Sequence, residues 1–68
     1  MQAFIETIRN TITGRNAYID ANDDGTYDVS VYRKDENAPV FTDIGVTTLH
    51  EAREIARCMA ALSYQKRY

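Results

Sequence analysis

The sequence of 68 residues has very few of the residue types that usually carry chemistry in a small domain. It contains one cysteine, one histidine, one proline and no tryptophan. A single cysteine cannot form an internal disulfide, and one cysteine with one histidine does not give zinc-ligand spacing. His50 and Cys58 lie on one predicted helix, about 12 Å apart along its axis, too far for a direct thiolate–imidazole pair. The sequence therefore predicts no enzyme activity, no cofactor and no metal site.

Long apolar runs and a strong positive charge are also missing. No stretch is long and apolar enough to span a bilayer, and the N-terminus lacks the regions of a signal peptide, so we expect a soluble, cytoplasmic protein without membrane contact. The net charge is −2, whereas a general nucleic-acid-binding domain is usually basic. The acidic excess lies in residues 20–36, which hold six acidic and two basic side chains.

Residues 16–33 alternate between apolar and polar side chains, which predicts two strands with one buried face. Pairing Ile19 with Val29 places the apolar residues of both strands on that face. The same register leaves residues 23–25 as a three-residue loop that ends in a glycine, the residue favoured in the left-handed position of such loops. We therefore predict a hairpin with a tight turn.

The turn region, 20-DANDDGTYD-28, also matches the first nine positions of an EF-hand calcium loop. The twelfth position, which should supply a bidentate carboxylate, is Val31, and the residues after the glycine alternate like a strand. We predict a turn here and not a calcium site. The hairpin register places Asp20 opposite Asp28, and two like charges at this distance repel each other. The pair is either solvated or binds a cation or an Arg or Lys side chain of a partner.

Helices are predicted at both ends of the chain. Residues 1–13 carry apolar side chains at intervals of three and four, which predicts a helix with a stripe of Met1, Phe4, Ile5, Ile8 and Ile12. Thr48 and Glu51 form a capping box at the start of a second helix, predicted over residues 48–64. Residues 65–68 are predicted to form a basic tail.

A third strand is predicted after Pro39, which cannot donate a ladder hydrogen bond and therefore marks a strand start. Its inward residues are predicted to be Val40, Thr42, Ile44 and Val46, which sends Phe41 and Asp43 outward. The three strands form a predicted antiparallel sheet over residues 16–46. The chain is thus predicted to be a single α+β domain over residues 1–68, of order αβββα, with both helices on one sheet face.

The uncovered sheet face is the predicted interaction surface. It is expected to carry three aromatic and three acidic side chains, Tyr18, Asp20, Asp28, Tyr32, Phe41 and Asp43. We interpret the chain as a non-enzymatic module that binds a basic surface of a partner protein, with a homodimer through the same face as a further possibility. The alternative is nucleic-acid binding through the basic residues of the last helix and tail, Arg53, Arg57, Lys66 and Arg67.

Three families share features with this chain. The predicted element order resembles the double-stranded-RNA-binding domain, in which a lysine-rich stretch opening the last helix contacts phosphates; the matching stretch here is 49-LHEAR-53. The segment 45-GVTTLHEAREIARCMAAL-62 resembles the strand-to-helix turn of HicB-like antitoxins. In its size, acidity and lack of catalytic residues, the chain resembles phage-encoded inhibitors of host machinery, including anti-CRISPR proteins. That resemblance implies an inhibitor that covers a nucleic-acid-binding surface of a host complex.

Overall fold

The computed structural model describes residues 2–62, and the predicted basic tail lies outside them. Four antiparallel strands are followed by one helix: β1 (Ala3–Asn10), β2 (Arg15–Ala21), β3 (Tyr27–Arg33), β4 (Phe41–Val46) and α1 (Leu49–Ala61). Strands that follow one another in the chain are also neighbours in the sheet, in the order β1-β2-β3-β4. The fold is α+β, but its order is ββββα and not the predicted αβββα.

The predicted N-terminal helix is wrong, because Ala3–Asn10 forms the edge strand β1. Ile5, Thr7 and Ile8 are β-branched, and such side chains lose rotamer freedom in a helix and pack well in a sheet. Ile8 pairs with Ala17 of β2 and packs against the core. The tertiary contacts of a strand therefore outweigh the apparent helical spacing of this segment.

A single helical turn remains in the loop after β1. The backbone amide of Gly14 donates to the carbonyl oxygen of Asn10 at 2.9 Å, and Gly14 has a φ of 77°. The side-chain oxygen of Asn10 accepts from the amides of Ile12 and Thr13 at 3.0 and 3.1 Å. The loop thus reverses the chain within four residues and feeds it into β2.

The hairpin of β2 and β3 is confirmed in its register and its turn. Ile19 pairs with Val29, as predicted. The amide of Asn22 donates to the carbonyl oxygen of Thr26 at 2.8 Å, which closes the three-residue loop. Gly25 ends the loop with a φ of 87°, the left-handed conformation that glycine adopts without strain.

The core lies between the sheet and α1. Small side chains recur every fourth residue on the buried side of the helix, at Ala52, Ala56 and Ala60, and they let the helix approach the sheet closely. The sheet contributes the buried side chains Ala17, Ile19, Val29, Val31 and Val46. We call this side of the sheet the covered face.

The predicted helix start is confirmed, because the Thr48 hydroxyl accepts a hydrogen bond from the Glu51 amide at 3.1 Å. The helix ends at Ala61, with Leu62 as its C-terminal cap residue, and not at the predicted residue 64. In the part of the chain that the structure describes, no helix has the length and apolar character needed to cross a membrane.

The predicted facing of β4 is confirmed for Val46, which is buried, and is wrong for Phe41, Thr42 and Asp43. Thr42 pairs with Ser30 and lies on the outer face. Phe41 pairs with Val31 and Asp43 pairs with Val29, so both lie on the covered face and not on the outer one. The cause is an irregularity near the end of β4, where the pairing shifts by one residue. One extra residue in a strand reverses which face every residue before it points to.

Candidate interaction surface

The sheet face turned away from α1 is called the open face below. By strand register its residues stand in rows that run across the strands. The basic row is Arg9, Asn16 and Tyr32, the middle row is Thr7, Tyr18, Ser30 and Thr42, and the acidic row is Phe4, Asp20 and Asp28. Neighbouring rows are about 7 Å apart, since they are two residues apart along each strand.

Two tyrosines form the centre of the open face. The rings of Tyr18 and Tyr32 meet edge to face, with centroids 5.7 Å apart and planes at 72°. Both side chains are half-buried, although the helix lies on the opposite side of the sheet. Together with Asn16 and Lys34 they line a shallow depression of about 330 Å³. An uncovered aromatic pair of this kind supplies a large contact area with few rotatable bonds.

Asp28 is a structural junction of the open face. One of its carboxylate oxygens accepts hydrogen bonds from the side-chain amide of Asn22 at 2.9 Å and from the backbone amide of Gly45 at 3.1 Å. The other oxygen accepts from the side-chain amide of Gln2. The carboxylate therefore joins the N-terminal segment, the β2–β3 turn and the irregular end of β4.

The structure confirms the predicted pairing of Asp20 with Asp28. The two carboxylates differ in their hydrogen-bond partners. Three N–H donors surround the Asp28 carboxylate, so its oxygens are occupied by hydrogen bonds within the fold. Within residues 2–62, no group of three or more His, Cys, Asp and Glu side chains could hold a metal ion. Asp20, by contrast, has no hydrogen-bond or ion-pair partner among the described residues. Asp20 is therefore the carboxylate of the acidic row that is available for a contact.

The turn between β2 and β3 extends the acidic end of the open face. The Asp24 carboxylate accepts hydrogen bonds from the hydroxyl of Thr26 at 2.7 Å and from its backbone amide at 3.0 Å. These bonds, the hydroxyl bond first, lower the pKa of Asp24 below its usual value of 3.8. Asp24 is therefore ionised at neutral pH and held in place by the turn.

The opposite end of the open face has an excess of basic side chains: Arg9, Arg33 and Lys34 lie there with one acidic residue, Glu36, in the depression beside the tyrosines. Arg9 and Lys34 are exposed, and neither forms an ion pair within the described residues. Arg33 lies 3.8 Å from Glu36, a loose surface pair. The sequence interpretation missed Arg9 because it assigned residues 1–13 to a helix. The β-branched composition of that segment was the signal that favoured a strand.

The structure brings together four of the six predicted contact residues. Tyr18, Asp20, Asp28 and Tyr32 share the open face, and Asp28 is already occupied by hydrogen bonds. Phe41 packs against the core on the covered face, so it is not available as an anchor on the open face. That these residues bind a partner stays a prediction.

The alternative basic surface on α1 is partly neutralised. The Nε of Arg53 donates to a carboxylate oxygen of Glu6 in β1 at 2.9 Å, which ties the helix to the edge strand. Arg57 lies 3.6 Å from Glu54. The other two predicted residues of this surface, Lys66 and Arg67, lie outside the described residues.

Comparison with family models, curated proteins and solved structures finds no match to this chain. The resemblance to double-stranded-RNA-binding domains depended on the order αβββα, which the structure does not have. The function is therefore inferred from the geometry of the open face.

Proposed function

We propose that this chain is a non-enzymatic protein-binding module that contacts its partner through the open face. The observation that carries the proposal is the Tyr18–Tyr32 pair, which lies at the centre of a sheet face that no other described element covers. Tyrosine is enriched at protein interfaces and dominates their energetics when it is buried there. The rows on either side of Tyr18 carry opposite charges, and these orient a partner over the tyrosines.

The partner is proposed to present a basic surface to the acidic end of the open face. Asp20 has no partner among the described residues, and Asp24 is held ionised at the neighbouring turn. Carboxylates on a rigid sheet can take the place that phosphates hold on a basic, nucleic-acid-binding surface. On this basis the chain is proposed to act as an inhibitor or adaptor in the cytoplasm, of the kind that phages encode against host defence.

The test is capture of partners from nuclease-treated host lysate by the wild-type chain and by two variants, Tyr32→Ser and Asp20→Lys. Both positions lie on the open face, and circular dichroism verifies that each variant is folded. Glu54→Lys is the matched control, because it makes the same charge change on the exposed surface of α1. We expect partner capture to be lost in both open-face variants and kept in the control.

Equal capture by all four proteins would refute the proposal. Recovery of nucleic acid without nuclease treatment, lost in Arg57→Glu and kept in Tyr32→Ser, would support the alternative of nucleic-acid binding through the helix.

A further inference from the structure

We infer that the open face is complementary to itself and that a second copy of this chain binds it as a two-fold symmetric dimer. The inference rests on the proposed use of the open face as a protein-binding surface, and it names one partner for that surface. Its basis is the arrangement of charge on the two sides of the middle row, which contains Tyr18.

The open face has one end with an excess of basic side chains, where Glu36 is the acidic residue of the depression, and one acidic end. The basic row holds Arg9, and Lys34 lies beyond it at the same end of the sheet. The acidic row holds Asp20 and Asp28, and Asp24 lies beyond them at the β2–β3 turn. Because the middle row separates the two ends, the charges lie on opposite sides of one line across the strands.

A two-fold axis along the middle row, lying between two stacked sheets, brings opposite charges together. Rotation by half a turn about this axis places the basic row of each copy over the acidic row of the other. In a two-fold dimer each such contact occurs twice. The neutral side chains of the middle row, Tyr18 among them, meet their own copies on the axis. Like charges therefore face each other nowhere along these rows.

The contacts expected at each end are chemically specific. Stacked sheets lie about 10 Å apart with their strands within about 30° of each other. At that separation Arg9 lies over the Phe4–Asp20 pair of the second copy. A guanidinium can donate to the carboxylate and also lie against the Phe4 ring, which is 61% exposed in the single chain. The Tyr32 hydroxyl, in the same row, faces the acidic row as well.

The edges of the sheet fit a second copy less well than its face does. Edge strand β1 is interrupted between Phe4 and Glu6, and edge strand β4 is interrupted before Val46. Interruptions of this kind hinder the addition of a strand from another chain. The face, in contrast, has an uninterrupted pairing of β2 with β3 at its centre.

The size of the open face limits the strength of the dimer. Four strands spaced about 4.8 Å apart, each contributing about 20 Å of length, offer roughly 400 Å² per copy. Two such faces give a total of roughly 800 Å², which is below the about 1,200 Å² that stable specific interfaces bury and lies in the range of weak, transient association. The dimer is therefore concentration-dependent, and an outside partner that binds the same face competes with it.

Sedimentation equilibrium of the purified chain at low and high salt tests this inference. We expect the average mass to rise with concentration from 7.8 kDa toward twice that value, and dimerisation to weaken as salt increases. The decisive variants are Arg9→Asp, Asp20→Arg and the double variant. Each single change places like charges together twice in the dimer, so we expect the dissociation constant to rise at least about tenfold.

The double variant exchanges the two charges within each copy and so restores both contacts between copies. We expect its dissociation constant to return to within about threefold of the wild-type value, since the two positions act as one coupled pair. Glu54→Arg, on the surface of α1, is the charge control and leaves dimerisation unchanged. Folding is not at risk, because Arg9 is exposed and Asp20→Arg removes the repulsion with Asp28.

A chain that stays monomeric up to millimolar concentration would overturn the inference, as would a dimer that neither single variant weakens or that the double variant fails to restore. These outcomes differ from a failure of the proposed function. A monomer that still captures a partner in a Tyr32-dependent way refutes only the dimer. A dimer that responds to both charges but captures nothing else refutes only the outside partner.

Discussion

The hydroxyl of Thr13 donates a hydrogen bond of 2.6 Å to the carbonyl oxygen of Ala60, which ties the β1–β2 turn to the end of α1. This carbonyl is one of the last four of the helix, which have no partner within the helix itself. From the first residue of β2, the guanidinium of Arg15 donates to the carbonyl oxygen of Met59 at 3.2 Å. The last turn of α1 has no basic residue of its own. The β1–β2 hairpin therefore supplies the cap through Thr13 and a favourable positive charge through Arg15 at the C-terminus of α1.

Thr13→Val tests this cap, because it keeps the branched shape and removes the hydroxyl. The same hydroxyl also accepts a hydrogen bond from the Arg15 backbone amide at 3.3 Å. We expect the loss of both bonds to lower the free energy of unfolding by about 1–2 kcal/mol, as measured by urea denaturation. Thr11→Val on the same turn is the matched control, since Thr11 is exposed and has no hydrogen-bond partner within the described residues. An equal decrease in the free energy of unfolding of the two variants would show that the hydrogen bonds of the Thr13 hydroxyl do not stabilise the fold.

Two features of the fold could be predicted from local sequence patterns: the β2–β3 hairpin and the start of α1. The β2–β3 hairpin was predicted in its pairing of Ile19 with Val29 because uninterrupted alternation and a glycine-ended turn specify the same register. The start of α1 was predicted because Thr48 and Glu51 form a recognisable cap. Of the candidate site, Tyr18, Asp20, Asp28 and Tyr32 were therefore assigned to one face.

The two edge strands could not be read from periodicity because each contains an irregularity. In β1 the pairing shifts between Phe4 and Glu6, so neighbouring apolar residues at positions 4 and 5 mimic a helical stripe. In β4 the shift between Asp43 and Val46 reverses the facing of everything before it. A single inserted residue leaves little trace in the composition of a strand, yet it moves every earlier side chain to the opposite face.

Gly25 permits a test of the left-handed turn that involves the backbone alone. Its φ is 87°, and a Cβ at this position would have no atom within 4 Å. We expect Gly25→Ala to lower the free energy of unfolding by about 1 kcal/mol, because an L-residue is strained in this conformation. Gly25→Asn should cost less, since asparagine tolerates left-handed backbone. Thermal denaturation of both variants measures the two losses in stability. Equal losses for Gly25→Ala and Gly25→Asn would contradict the explanation that the loss comes from backbone strain alone.

The Asp24 carboxylate predicts a pH dependence of the β2–β3 turn. Its pKa is lowered in the folded chain by the hydrogen bonds from Thr26. A lowered pKa in the folded state means that the contribution to stability is present above the unfolded pKa and is lost as the pH falls through the folded value. We expect the Asp24 carboxyl resonance to titrate below 3.8 by NMR. Thr26→Val should move the titration back toward the ordinary value, and a midpoint at or above 3.8 in the wild type would contradict the hydrogen-bonded turn.

The two facing carboxylates of the acidic row should respond in opposite ways to the same substitution. Asp28→Asn replaces one acceptor oxygen of the junction by an N–H donor group, which opposes the donors of Gln2, Asn22 or Gly45. We expect the free energy of unfolding to fall by about 1–2 kcal/mol, because hydrogen bonds to a charged group are lost. Asp20→Asn removes a like charge opposite Asp28 and breaks no hydrogen bond. We expect it to raise the free energy of unfolding by roughly 0.3 kcal/mol.

Urea denaturation of these two variants, at neutral pH and low salt, measures the difference directly. The two substitutions change the same atoms and the same charge on paired residues, so each is the control for the other. Added salt should reduce the gain in Asp20→Asn, which comes from repulsion between partly exposed charges, and leave most of the loss in Asp28→Asn. Stabilisation by both variants would mean that repulsion dominates this row and that Asp28 does not join the turn to β4. Destabilisation by both would mean that Asp20 has a contact of its own, and the open face would then lose the carboxylate proposed to meet a partner.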